Sequence, residues 1–190
     1  MLPPRKHQGG AKRVGWRLWT VGHSTHPLET FVALLRAHGV TTIADVRKLP
    51  RSRRHPQFNV ETLPGALAAA GLGYTHFAGL GGLRLEQPDS INRAWQNPSF
   101  RAYADYMQTD MFAAELDRLV SLGRREHVAI MCAEAVWWRC HRSLIADALV
   151  ARGEPVLHIL TPERVEPHTL RDFARVEDGR VTYPGEPELF

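Results

Sequence analysis

The stretch WRLWTVGHSTHPLETFVALLRAHGVTTIADV, Trp16 to Val46, decides the fold. Its first part, Trp16 to Val21, is a β-type run of aromatic and branched residues that stops at Gly22-His23-Ser24. A helix is predicted next, with Pro27 at its first position and Glu29 in its first turn. Leu28, Phe31, Leu34 and Leu35 recur at helical spacing on one face, and Gly39 closes it. Thr41 to Val46 is β-branched again. A change of period from two to 3.6 and back is the mark of a βα unit.

Outward from this unit the same punctuation returns. Ala37-His38-Gly39, Ala69-Ala70-Gly71 and Ala151-Arg152-Gly153 each close an apolar helical stretch, and Ser121-Leu122-Gly123 does so less closely. Glycine at such a position suits a left-handed cap after the last helical turn. The strand-like runs that follow are Leu72 to Phe77, His127 to Cys132 and Val156 to Leu160, and helices are predicted near 60–70, 99–107, 110–122 and 140–152. The pattern predicts a single α/β domain, a mostly parallel sheet of about five strands with helices on both faces. Residues 1–15 are read as a disordered basic tail, 16–160 as the α/β domain, and 161–190, rich in Pro and Gly, as a loosely structured extension.

Composition narrows the functional classes. The formal charge is +4, and Arg5, Lys6, Lys12 and Arg13 in the tail account for it, so the remainder is neutral overall. A uniformly basic nucleic-acid-binding surface is therefore not indicated; any attraction for anions has to be local. No apolar run of eighteen residues exists and the N-terminal segment lacks an apolar core, so a cytoplasmic protein without membrane contact is expected. Two cysteines, Cys132 and Cys140, are too few for a disulfide framework and point to thiol, metal or packing roles.

In a parallel sheet the loops beyond the strands' carboxyl ends carry the ligand site. Read that way, strand one delivers His23 and Ser24, strand two Asp45 and Arg47, and strand four Cys132 and Glu134, with Arg139, Cys140, His141 and Arg142 close behind. Cys132, at a strand end among arginines, is a candidate nucleophile. Glu134, His141 and His23 are candidate proton carriers, and Asp45 orients an imidazole or a guanidinium. Arg47, Arg139, Arg142 and Ser24 are candidates for holding an anion. Cys140 and His141 also extend the apolar face of Leu144, Ile145, Ala148 and Leu149, so packing alone accounts for them equally. His158, inside an apolar strand, reads as a satisfied core histidine, and Trp137-Trp138 as the cover of a core edge.

Two alternatives to an enzyme stay open. Cys132, Cys140 and His141 offer soft ligands for a metal ion, although the spacing of the cysteines is not that of a zinc ribbon. A non-catalytic nucleic-acid-associated module would use the tail and the basic run Arg47 to Arg54. Its last residues, Leu189 and Phe190, resemble the end of bacterial sliding-clamp-binding peptides.

Thr20-Val21-Gly22-His23-Ser24, Asp45-Val46-Arg47, Pro50-Arg51-Ser52, Phe58-Asn59, Leu80-Gly81-Gly82, Cys132-Ala133-Glu134 and Cys140-His141-Arg142, in this order, resemble domain-of-unknown-function family 488. The chain departs from the family pattern at Ala135-Val136-Trp137-Trp138, where a proline is usual. The resemblance implies a small α/β domain and a shared polar set of His23, Ser24, Asp45, Arg47, Cys132, Glu134, Cys140, His141 and Arg142. It implies no reaction. The expectation carried forward is an enzyme acting on a nucleotide, nucleic acid or other phosphorylated substrate at the carboxyl edge of the sheet, with no cofactor specified.

Overall fold

The computed structural model describes residues 18–185; the tail expected over 1–15 and the Leu189-Phe190 end lie outside them. The five predicted strands form β1 (Leu18–Gly22), β2 (Thr42–Asp45), β3 (Gly73–His76), β4 (Val128–Cys132) and β5 (Val156–Thr161). They pair in the order β3-β2-β4-β1-β5, all parallel. The helices are α1 (Leu28–Ala37), α2 (Leu63–Ala69), α3 (Pro98–Tyr106), α4 (Asp110–Gly123) and α5 (Arg142–Ala151).

Alternation along the strands sorts the core into two layers. Leu18, Ala44, Val46, Val128, Ile130 and Val156 face α3, α4 and α5, whereas Trp19, Val21, Ile43, Ala129, Met131 and Leu157 face α1 and α2. Near-continuous apolar strands such as Val128–Cys132 are what a sheet covered on both faces requires. Gly39, Gly71 and Gly153 adopt φ of 67°, 75° and 79°, the left-handed conformation expected of them. Gly123 differs: it stays inside α4, where a Cβ would stand 2.7 Å from the side chain of Leu18, so its smallness serves helix-to-sheet contact.

The extension read as loosely structured is corrected over its described part. A sixth strand, β6 (Arg164–Pro167), pairs antiparallel with β5 at the sheet edge. A hairpin of β7 (Arg175–Glu177) and β8 (Arg180–Thr182) brings Val181 and Tyr183 into the core on the α5 side. The Asp178-Gly179 pair that turns this hairpin has φ of 49° and 74°, the left-handed two-residue turn that matches strand twist. That dipeptide was the available signal; three-residue strands among prolines obscured it.

The C-terminal segment also completes a buried polar chain. Asp147 accepts from His168 Nε2 at 2.7 Å and from the Tyr183 hydroxyl at 2.6 Å. His168 Nδ1 lies 2.9 Å from His158 Nε2, and His158 Nδ1 lies 2.6 Å from the Thr20 hydroxyl. A continuous hydrogen-bonded chain thus runs from the buried carboxylate to β1, and Trp137 stacks on His158 at 3.9 Å. His158 is thus the satisfied core histidine expected.

Burial, then the neighbouring His168 and Arg142, holds His158 down to about 3 against 6.5 for a free imidazole. The folded state keeps it neutral while the unfolded chain takes a proton below pH 6.5. Its stabilising contribution is therefore complete above that pH and is lost as pH falls toward 3. Urea unfolding at stepped pH is expected to show a loss of up to about 1.4 kcal/mol per pH unit from this group. A His158→Gln chain should show a shallower fall; identical slopes in the two proteins would remove His158 from the account.

Candidate functional site

The helices that follow β1 and β4 leave for opposite faces: α1 packs with the Trp19 layer and α5 with the Leu18 layer. Because β1 and β4 are neighbours, a crevice opens between their carboxyl ends, the switch point at which open α/β sheets bind ligands. The segment after β4 lies directly on β1. His23 N donates to Cys132 O at 3.0 Å and Ser24 N to Ala133 O at 2.9 Å. A Cβ at Gly22 would collide with the Glu134 carbonyl, so only glycine lets this segment approach.

A cleft of about 570 Å³ occupies the crevice. It is lined by predicted residues His23, Ser24, Arg47, Cys132, Glu134 and His141, together with Lys48, Ser52, His55 and Gly82. Of the last group, Lys48 and Ser52 belong to the basic run Arg47 to Arg54, and His55 follows it directly. Gly82, read only as part of the Leu80-Gly81-Gly82 motif, has a place at the site: a Cβ there would stand 3.3 Å from His141 Nδ1, so its absence keeps that nitrogen approachable.

Asp45, expected to orient an imidazole or a guanidinium, is fully buried and off the cleft wall. Its Oδ1 accepts from the Arg47 backbone N at 3.0 Å and Arg47 Nε at 2.9 Å; its Oδ2 accepts from Arg47 Nη2 at 2.6 Å and the Tyr74 hydroxyl at 2.8 Å. Arg47 Nη2 also donates to Phe58 O at 2.7 Å, and Nη1 lies 3.2 Å from His23 Nε2. His23 in turn has Nδ1 2.9 Å from Ser24 O, which can only accept, so Nδ1 carries the proton and Nε2 receives Arg47. Burial first, then Arg47, lowers His23 to about 4. With both nitrogens engaged, His23 braces Arg47 and carries no mobile proton.

The other arginines of the site differ in their surroundings. Arg142 is 1% exposed and faces away from the cleft; its Nη1 donates to Val21 O and Glu134 O (3.1 and 2.6 Å) and its Nη2 to Ala135 O (2.9 Å). Expected among the anion-holding residues, it is found holding the loop after β4 against β1. Arg139 is exposed and does not line the cleft. Arg51 reaches the rim but is ion-paired to Glu61.

Beside Lys48 and Glu134, the cleft offers sulfur and imidazole. Cys132 Sγ, Cys140 Sγ and one nitrogen of His141 lie within 4.8 Å of one another, at the carboxyl edge of the sheet, and can coordinate a metal or another ligand. Cys132 ends β4, while Cys140 and His141 sit just before α5, so the sheet edge and the helix start bring the set together. His141 Nε2 is 3.0 Å from Val46 O and must donate to it, which leaves the Nδ1 lone pair on the side of Cys140 Sγ, 3.7 Å away. The Cys132 thiol is drawn down, first by the hydrogen bond from Cys140 and further by His141, against the opposing effect of burial. Cys140, the donor of that bond and itself buried, is pushed up. Neither sulfur is in a disulfide.

A protein-family model described as "Domain of unknown function DUF488" matches residues 27–149. The match takes in Asp45, Arg47, Cys132, Glu134, Cys140, His141 and Arg142, and begins after His23 and Ser24. No curated protein and no solved structure matches the chain. Among the described residues no helix is long and apolar enough to cross a membrane.

Proposed function

Since the chain belongs to the DUF488 family, whose description assigns no reaction, we propose a function from the site itself: a zinc-type metal ion is held by Cys132 Sγ, Cys140 Sγ and His141 Nδ1. The observation that carries this reading is the convergence of three soft donors whose imidazole has its other nitrogen tied to Val46 O. A metal-binding histidine commonly has its second nitrogen fixed in this way, because the bond sets both tautomer and ring orientation. Two thiolates and an imidazole suit zinc, for which ligand atoms stand about 3.5 Å apart in a tetrahedron. The set needs to close only slightly to reach that spacing.

Three protein ligands leave a fourth position for water or substrate, the arrangement of catalytic rather than structural zinc. Cys132 and His141 belong to the cleft wall, so a ligand on the ion would come from the cleft. Glu134, exposed on the same wall, would act as proton acceptor, and Lys48 would attract an anionic substrate. The earlier expectation of a substrate held by several arginines has weaker support than the metal reading, since Arg47, Arg51 and Arg142 already have partners.

Elemental analysis of full-length protein purified without an affinity tag tests the proposal. About one zinc per chain is expected, falling below about a tenth in Cys132→Ser and in His141→Asn proteins that keep the wild-type circular dichroism. Cobalt offered to the chelator-treated protein should give a sulfur-to-metal absorption band that the same variants lack. A wild-type chain that neither carries zinc nor takes up cobalt overturns the reading.

A further inference from the structure

The two sulfurs of the cluster differ in access. Cys132 is part of the cleft wall, whereas Cys140 is not; it is 4% exposed and packs into the layer that holds Leu144 and Ile145. The sulfurs nevertheless lie within 4.8 Å of each other, with no third side chain needed to bridge them. The backbone between them forms neither strand nor α-helix, only a 3-10 turn at Trp137–Arg139, so the short shift needed for a sulfur–sulfur bond falls on irregular chain.

A thiol at the cleft wall with a second thiol buried next to it is the arrangement of an oxidisable pair.

We propose that Cys132 and Cys140 form a redox site in which Cys132 meets a hydroperoxide entering the cleft and Cys140 resolves the product into an intramolecular disulfide. In the first step the Cys132 thiolate attacks one peroxide oxygen. The sulfur–oxygen bond forms, the oxygen–oxygen bond breaks, and the departing alkoxide or hydroxide takes up the proton Cys132 had released. Cys132 is then a sulfenic acid. In the second step the Cys140 sulfur, giving up its proton, attacks Cys132 Sγ; the sulfur–sulfur bond forms and the hydroxyl leaves with that proton as water. Two thiols are oxidised by two electrons and one hydroperoxide is reduced to an alcohol, or to water, and water. The site requires two sulfurs and no metal, so it stands apart from the zinc reading. Where zinc is bound, the disulfide removes two of its ligands and releases it.

The experiment treats the full-length chain, as purified, with equimolar hydrogen peroxide. It then measures intact mass and alkylatable thiols after denaturation, with metal content measured on the same sample. The expected result is a mass lower by about 2 Da, both thiols blocked, and recovery with dithiothreitol. In Cys140→Ser, Cys132 should be trapped by dimedone as the sulfenic acid; in Cys132→Ser, Cys140 should stay alkylatable at the same dose. The proposal is overturned if the wild-type thiols remain alkylatable, or if Cys132 proceeds to the sulfinic acid without a disulfide. Oxidation of Cys140 in Cys132→Ser as fast as in the wild type overturns it too. The wild-type measurement depends on no variant folding. A chain that forms the disulfide but carries no zinc sinks only the metal reading, and a zinc protein whose thiols do not pair sinks only this one.

Discussion

Replacing Asp45 by alanine is expected to destabilise the fold by about 3 to 5 kcal/mol, because it strands the Arg47 guanidinium in the interior. The carboxylate is fully buried and Arg47 is 7% exposed, so water does not substitute for the lost partner. Four donors converge on Asp45, three of them from Arg47 and one from Tyr74. The pair also determines the shape of the cleft. Through Arg47 it fastens Phe58 O and braces His23, so one wall of the cleft depends on a carboxylate that never reaches it. The double variant Asp45→Ala/Arg47→Met removes both charges and should recover much of the loss, since an apolar replacement of an entire buried pair is often neutral. Urea unfolding of wild type, single and double variants gives the coupling directly. A single variant costing less than about 1 kcal/mol would place the pair among surface ion pairs in energetic terms, contrary to its burial.

Arg142→Leu is the second large effect. The guanidinium donates to three carbonyls on two segments, β1 at Val21 and the loop at Glu134 and Ala135. Without it the Val21, Glu134 and Ala135 carbonyls each lose a charged donor, and the loop joining Cys132 to Cys140 loses its side-chain tie to β1. A loss of about 2 to 4 kcal/mol is expected from the unmet carbonyls. Arg142→Lys should recover only part of this, because one ammonium does not reproduce the planar fork. Hydrogen exchange distinguishes a local from a general effect: amides of residues 133–141 should exchange faster by at least about tenfold while those of β2 and α1 keep their protection. Uniform acceleration along the chain would mean that Arg142 stabilises the whole fold without organising the loop in particular.

These residues also show what the sequence reading of the site reaches and what it does not. His23, Arg47, Cys132, Glu134 and His141, expected at the carboxyl edge, all line one cleft. Their tasks depend on partners that the sequence does not display. An arginine beside a strand end reads as an anion clamp, yet Arg47 and Arg142 are held by groups either two residues away or across the sheet. The number of hydrogen-bonding partners a side chain already has is a property of three-dimensional neighbours. Periodicity and spacing carry no record of it. His141 illustrates the same point from the other side, since what leaves its Nδ1 available is the carbonyl of Val46, a backbone atom ninety-five positions away.

What the sequence by itself determined was local and periodic. Apolar runs with period two or 3.6, and glycines at the three left-handed helix ends, specified five strands, five helices and a two-faced parallel sheet, because these follow from backbone sterics and the need to bury one or both faces. Strand order, the departure of α1 and α5 to opposite faces, and the edge strand and hairpin after Thr161 were decided by tertiary packing. So were the burial of Asp45 and the meeting of Cys132, Cys140 and His141. The physical reason is common to all of these. Each depends on which surfaces meet after the chain has folded back over tens of residues, where desolvation and the pairing of buried charges outweigh local preference.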